Sequence, residues 1–540
     1  MGKNNYILLL LLFISGFIFA QSNQVKYIVY FKDKPTAEDI SNLFSEKALA
    51  KRQKFNIAFD ERDIPVNANY DEILKNENAT IINTSNWLNA SLISVDENKV
   101  SNLRQLPFIS SIVKVEKSNI AAGIASIENE NECAAQNGTM DFEDNFGSSF
   151  PQFHLLNGEY LHEQGYNGEN MTIGICDNGF YNAKNNAAFS DVFSQNRLLG
   201  TYDYVHGDSA VYDEAAGSHG AFCFSFIAGI KNNQYKGTAT KSNFYLFHTE
   251  DNSGERLQEE FNLATALERC DQLGVDVVTI SLGYNTFDVA TENHDTSDMH
   301  KNNTPAAKAV NMASSKGILV CVAAGNQVGW QYIATPSDAD SAFCIASVDI
   351  NGVVASNSSM GLPGDPRIKP NVAALGKSAN YINTAGNIAI GSGTSFATPS
   401  LAGMATCLWQ AFPGKTNWEI KTAIEQSASQ YLSPDKRVGY GIPDFKKAYD
   451  LLLNPTFVSN KNLEKELLIY PNPFQNTVTF SNLGNLHIES INVLNNIGQT
   501  LYTIDAPTGN TIALHDLSSG MYLLQVATDQ GMLIKKLIKE

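Results

Sequence analysis

Gly391-Ser392-Gly393-Thr394-Ser395-Phe396-Ala397-Thr398-Pro399 opens an apolar helical pattern, in which Leu401, Met404, Ala405 and Leu408 recur at helical spacing. The pattern predicts that Ser395 lies at the N-terminal end of a buried helix. Free backbone N–H groups and the positive end of the helix dipole would face its hydroxyl there. Such a position suits a nucleophile whose product is an oxyanion. It equally suits a serine that only caps the helix, so the meaning of Ser395 depends on its partners.

Outward from this stretch, residues 145–453 alternate strands and helices. Residues 171–176 form a short apolar strand ending at Asp177-Asn178-Gly179, and Phe222, Cys223, Phe226 and Ile227 make a helical stripe just after His219. Residues 244–247 read as a strand and 257–273 as a helix closed by Gly274. Residues 275–282, 318–324 and 342–348 are near-continuous apolar runs, as in a parallel sheet buried on both faces. The expected class is α/β, with sites gathered at the carboxyl ends of the strands. Asp177, Ser281 and Asn326 fall at such ends.

Acyl transfer by a serine needs a general base, and the base needs an orienting carboxylate. Candidates stand in the order Asp177, His219, Ser395. Taken singly each has a plainer reading: Asp-Asn-Gly as a turn, His219 as a capping or core histidine, Asn326 as a residue turning the chain after a strand. Together, "GICDNGF" (174–180), "SHGAFCFSFIAG" (218–229) and "GSGTSFATPSLAG" (391–403) resemble the three site blocks of the subtilisin family of serine proteases. The resemblance spans 145–453 and implies a subtilisin-like parallel sheet flanked by helices. It further implies Asp177 as the triad acid, His219 as the base and Ser395 as the nucleophile. Asn326, ending "GILVCVAAGN", is then the oxyanion-hole side chain, joined by the Ser395 N–H. Ser281, Leu282 and Gly283 resemble the strand that pairs with substrate backbone, and Ala323, Ala324 and Gly325 the wall of the pocket for the residue before the scissile bond. Small residues there imply room for a sizeable apolar side chain, and pairing by strand addition, which reads backbone more than side chain, implies broad specificity. Cys176 before Asp177, and Gly-Ala in place of Gly-Thr after His219, depart from the family pattern without removing a reacting group.

No residue is assigned to a metal. The segment after the histidine helix is too short for the family's calcium-loop insertion, and no acidic run has calcium-loop spacing. A structural calcium ion stays open but has no motif behind it, and no other cofactor is expected.

The flanks differ in character. Residues 25–117 read as a small α/β unit, with strands near 25–31, 88–95 and 108–115 and helical stretches at 35–56 and 96–106. "VKYIVYFKDKPT" and "SLISVDENKVSNLRQLPFISSIVKVEKS" resemble the inhibitor-type propeptide of subtilisin-like proteases, assigned to 21–117; a generic ferredoxin-like unit is the other reading. Residues 118–144 are polar and acidic, as expected of a linker and processing region. After 453, seven short strands alternate with Gly-, Asn- and Pro-rich turns, predicting a small β-sandwich over 461–540. "IYPNP", "INVLNNIGQTLY", "LSSGMYLLQV" and "LIKKLIKE" resemble the C-terminal sorting domain of the type IX secretion system. A carbohydrate-binding or adhesive domain is the alternative.

The 540 residues carry a net charge of -18, which disfavours nucleic acid and anionic membranes as partners. Lys3 and the apolar run 6–19 before Ala20 read as a signal peptide over 1–20, so export through the periplasm and outer membrane is expected. The seven cysteines read mainly as buried thiols, with Cys321 and Cys344 as the pair to test for a disulfide. The expected protein is a secreted, monomeric serine endopeptidase acting on proteins or peptides. Its own propeptide is the inhibitor and the type IX machinery its export partner. The competing reading is a protease fold kept for binding, which need not retain a complete triad and Asn326.

Overall fold

The computed structural model describes residues 24–36, 39–115, 146–299, 302–326, 330–453, 467–482, 486–495, 500–505, 507, 509–528 and 531–540. The expected signal peptide (1–20), the linker (118–144) and Cys133 lie outside the described residues.

The N-terminal unit is a four-stranded antiparallel sheet in the order Thr80–Ser85, Ala90–Asp96, Gln24–Phe31, Ile109–Val115. Alternation along Gln24–Phe31 sends Tyr27, Val29 and Phe31 into the unit's own core. Ile28, on the opposite face, packs with Ala90, Leu92 and Val115 against Phe261 of the helix Leu257–Leu273. The sheet is therefore covered on both sides. The helix expected over 35–56 is confined to Glu46–Phe55. Ser45, whose hydroxyl accepts the Ala48 N–H, fixes its start, and Phe44 before it is extended. The expected helix over 96–106 shrinks to a 3-10 turn and Val100–Leu103.

The central unit is built on seven parallel strands in the order Val372–Leu375, Phe343–Val348, Leu319–Ala323, Val277–Ile280, Thr172–Asp177, Asn243–His248, Leu198–Asp203. The five strands from Val372–Leu375 to Thr172–Asp177 are buried throughout, which is why the longer ones read as unbroken apolar runs. Helix Thr394–Ala411 runs under the sheet, buried from Thr394 to Trp409, and supplies Ala397, Leu401, Met404 and Leu408 to the largest core cluster. Cys321 pairs in register with Phe343, and Val322 with Cys344. The two cysteines thus point to opposite faces of the sheet, and all six described cysteines are free and buried. The expected disulfide candidate is excluded by that one-residue offset.

All seven strands expected after residue 453 are present, as a three-stranded sheet (Leu467–Tyr470, Thr477–Asn482, Thr511–Ala513) and a four-stranded one (Thr500–Asp505, Ile488–Leu494, Gly520–Thr528, Gly531–Lys539). Leu467, Val478, Val493, Leu524, Leu533 and Leu537 fill one shared core. Among the described residues no helix is long and apolar enough to cross a membrane.

Candidate active site

Asp177 is the last residue of strand Thr172–Asp177 and is fully buried. The chain turns sharply after it through Gly179, whose φ of +58° and whose closeness to the Ala216 carbonyl leave no room for a side chain. His219 is the first residue of helix His219–Ala228. Gly220 brings that helix against the strand end: a Cβ there would sit 2.4 Å from the Gly179 oxygen and 3.0 Å from Asp177 Cβ. The result is a 2.6 Å contact between His219 Nδ1 and Asp177 Oδ1, with the Asn178 N–H donating to the same oxygen at 2.7 Å. The imidazole keeps 19% exposure while the carboxylate has 1%. Burial alone favours the neutral ring, but the adjoining Asp177 charge holds the His219 pKa well above the ordinary histidine value.

Ser395 is the second residue of helix Thr394–Ala411. Four residues later Pro399 has no N–H to give, so the Ser395 carbonyl is left without the usual helical donor. Two side chains supply the missing bonds: Ser281 Oγ donates at 3.0 Å and Cys223 Sγ at 3.4 Å. Cys223 follows His219 by one helical turn, and its sulfur also lies 3.8 Å from His219 Nδ1. A single buried thiol therefore touches both the histidine and the serine. Burial pushes that thiol up to about 11, so it stays protonated and acts as a donor. The Ser395 hydroxyl points to the Ser281 carbonyl at 3.4 Å, and the Phe396 ring stacks over His219 with centroids 6.4 Å apart.

Asn326 completes the group. Its Oδ1 accepts the Thr394 N–H at 2.7 Å and the Thr394 hydroxyl at 3.0 Å. These bonds fix the carboxamide, whose Nδ2 lies 3.2 Å from the place a Gly393 side chain would take. The absence of a side chain at Gly393 leaves that space open beside the amide.

The remaining expected residues take two different settings. The ladders of strand Val277–Ile280 to its neighbours end at Ile280, and Ser281-Leu282-Gly283 runs on beyond them. Around Gly283 a Cβ would meet nothing closer than the Thr335 oxygen at 3.8 Å. Ala324, by contrast, is fully buried, with its side chain in a cluster with Met299, Ile333, Cys344 and Leu362. Gly325 has a φ of +113° and abuts Ser359. The sequence reading gives Cys223, Thr394 and Pro399 no part in the chemistry of the site. The signals were spacings of four, His219 to Cys223 and Ser395 to Pro399, each placing two residues on one helical face.

Glu250, Glu255 and Glu259 offer three carboxylate oxygens within 4.8 Å of one another. Glu250 Oε1 already accepts from Thr249 and Tyr284, and Glu259 accepts the N–H groups of Asp251 and Arg256. Burial pushes Glu250 up to about 7 and Glu255 to about 8.

Comparison with known proteins agrees with the three-part architecture. Residues 168–441 match the model of the subtilase family, residues 26–132 that of the peptidase S8 propeptide domain of Bacteroidota, and residues 468–540 that of a secretion system C-terminal sorting domain. The thermostable alkaline protease of Halalkalibacterium halodurans is 27% identical over 289 residues, which are 53% of this chain and 70% of the relative. Serine protease AprX of Bacillus subtilis is 28% identical over 306 residues, 51% of this chain and 64% of the relative. Subtilisin E of Bacillus subtilis is 24% identical over 367 residues, 67% and 81% of the two chains. The chain belongs to the subtilase family: it is a subtilisin-type serine protease with an inhibitory propeptide and a type IX sorting domain, destined for secretion or the cell surface.

Proposed function

We propose that the chain cleaves peptide bonds through a triad of Asp177, His219 and Ser395 and an acyl-enzyme. With Nδ1 engaged by Asp177, His219 has Nε2 to take the Ser395 proton as Oγ attacks the scissile carbonyl. The tetrahedral oxyanion is met by the Ser395 N–H and Asn326 Nδ2. His219 returns the proton to the leaving amine, and water repeats the cycle to free the acid and restore the hydroxyl. The observation that carries the reading is the 2.6 Å Asp177–His219 contact joined, through Cys223, to the helix start that bears Ser395.

Substrate pairs as an extended strand with Ser281-Leu282-Gly283, whose backbone continues past the end of its ladder. Ala323-Ala324-Gly325 forms the wall for the side chain before the scissile bond, giving broad specificity with an apolar preference. We assign residues 1–20 to a signal peptide, 21–117 to the propeptide, 118–144 to the processed linker, 145–453 to the peptidase and 461–540 to the sorting domain, and the mature enzyme is a monomer.

Ser395→Ala tests the triad. Casein hydrolysis by the mature protein is expected to fall by about 10⁶, the cost of losing the serine in subtilisin itself, with the folded state retained by circular dichroism. Hydrolysis equal to that of the unaltered protein would overturn the reading.

A further inference from the structure

The carboxyl end of the sheet carries a second cluster, two strands away from Asp177. Asp203 ends the edge strand Leu198–Asp203, and His248 ends the neighbouring Asn243–His248, directly opposite it in register. His206 follows on the turn after Asp203. Asp203 and His248 are each 1% exposed, whereas the His206 side chain is 56% exposed. Asp203 Oδ2 lies 2.9 Å from His206 Nδ1 and 3.0 Å from His248 Nδ1.

Two features set this cluster apart from an ordinary ion pair. The carboxylate is held in place from behind, because its other oxygen accepts the N–H groups of Val205 at 2.8 Å and His206 at 3.0 Å. And both ring nitrogens of His248 are buried without a hydrogen-bond partner: the Nδ1 approach to Asp203 is close but not aligned for donation. A fully buried imidazole with neither nitrogen satisfied is costly. A lone pair directed at a cation removes part of that cost.

We propose that Asp203 Oδ2, His206 Nδ1 and His248 Nδ1 form a binding site for a zinc-class divalent cation. One ligand atom from each of the three residues lies within 4.8 Å of the others. A tetrahedral zinc sets its ligand atoms about 3.3–3.5 Å apart, and Asp203 Oδ2 already lies 2.9 and 3.0 Å from the two ring nitrogens, so the three residues fill three positions. The fourth opens to solvent on the His206 side. Two imidazoles and one carboxylate suit zinc, nickel or copper and not calcium or magnesium, which prefer all-oxygen shells. The site ties the edge strand to its neighbour, and the next residue, Thr249, donates its N–H to the Asp177 carbonyl at 3.2 Å. Its role is therefore structural, bracing the end of the sheet on which Asp177 sits. The sequence spacing conceals it, since Asp203 and His248 are 45 positions apart.

Zn²⁺ titration of the intact chain carrying Ser395→Ala, against a chromogenic chelator, tests the site. One equivalent is expected to bind and to raise the thermal midpoint. His206→Ala, at an exposed position, and His248→Gln are each expected to weaken binding at least about tenfold. Co²⁺ in place of zinc is expected to show the weak visible bands of nitrogen and oxygen ligands. Absence of saturable binding, binding unchanged in His206→Ala, or strong thiolate-to-cobalt absorption, which would put the metal on Cys223 beside His219, each overturns the assignment.

Discussion

The catalytic end of the sheet and the face that receives the propeptide use polar groups in opposite ways. At the catalytic end one carboxylate and one imidazole meet in a setting made rigid by glycines, a proline and neutral donors from Ser281, Cys223 and Thr394. At the propeptide face, charge crosses the interface repeatedly. Arg52 pairs with Asp271 at 2.5 Å and with Asp63 at 2.8 Å, while Lys316 reaches back to Asp63 at 2.8 Å and Asp60 at 2.9 Å. Lys47 pairs with Asp276 at 2.6 Å, and the Arg52 guanidinium lies over both the Phe44 and the Phe59 ring, which contact each other. Glu268 accepts the Ser85 hydroxyl and the Trp87 N–H, each at 3.1 Å. Apolar contact across this face gathers at Phe261, under the sheet, and at Trp87, which is buried in a core cluster with Leu263, Ala264 and Leu267. A permanent site gains from a few fixed groups. A partner that must leave gains from charges that are satisfied both when docked and when returned to water, since a released apolar face would remain exposed.

At the catalytic end, Asp177→Asn is expected to lower kcat by about 10⁴ while leaving the fold intact. The same change removes the charge that raises the His219 pKa. The base acts as the neutral ring, so activity in the unaltered enzyme falls as pH drops through that raised value; in Asp177→Asn the acid limb of the residual rate moves to lower pH. An unmoved limb would show that Asp177 does not set the base. Asn326→Ala is expected to cost about 10²–10³ in kcat with KM little changed, as loss of this type of donor does in subtilisin. A change in KM alone would assign Asn326 to ground-state binding.

The propeptide face responds in binding instead. Arg52→Met leaves Asp63 and Asp271 without their guanidinium in a buried setting, where breaking a pair costs about 3–5 kcal/mol. Isolated propeptide carrying this change is expected to inhibit the mature enzyme at least about 100-fold more weakly, with kcat untouched once it dissociates. The smallest effect is on pH. Burial pushes the docked Glu268 carboxyl up to about 7, whereas an exposed glutamate titrates near about 4.3. Docking thus takes up a proton in between, so this contribution to affinity is full below the lower value and is lost as pH rises towards about 7. Inhibition constants measured from pH 4 to 8 are expected to weaken by about tenfold or more across that range, and Glu268→Gln to flatten the trend. A trend that survives the substitution would place the titrating group elsewhere.

Much of this was legible in the residues. Strands buried on both faces announce themselves as apolar runs, and the helix 257–273 was delimited to the residue by Gly274 at its left-handed cap. Leu198–Asp203 was not expected because it is an edge strand with mixed exposure, and Val372–Leu375 because four residues carry too little pattern. The stretch 35–56 contains a helix-compatible composition that Ser45 and Phe44 interrupt, which periodicity does not register. For the site, three sequence blocks pointed to Asp177, His219 and Ser395, but the thiol linking two of them looked like one more apolar residue in a stripe. The Asp203, His206 and His248 cluster depends on the pairing of two strands and has no local signature at all.

The central claim is that Ser395, and no other serine, is the nucleophile that His219 activates. Treatment of the folded, mature protein with a fluorophosphonate, followed by peptide mapping, tests it most directly. The account predicts a single adduct on Ser395, absent from Ser395→Ala and strongly reduced in His219→Ala. An active, folded preparation that carries no adduct on Ser395, or carries it on a different serine, would contradict it.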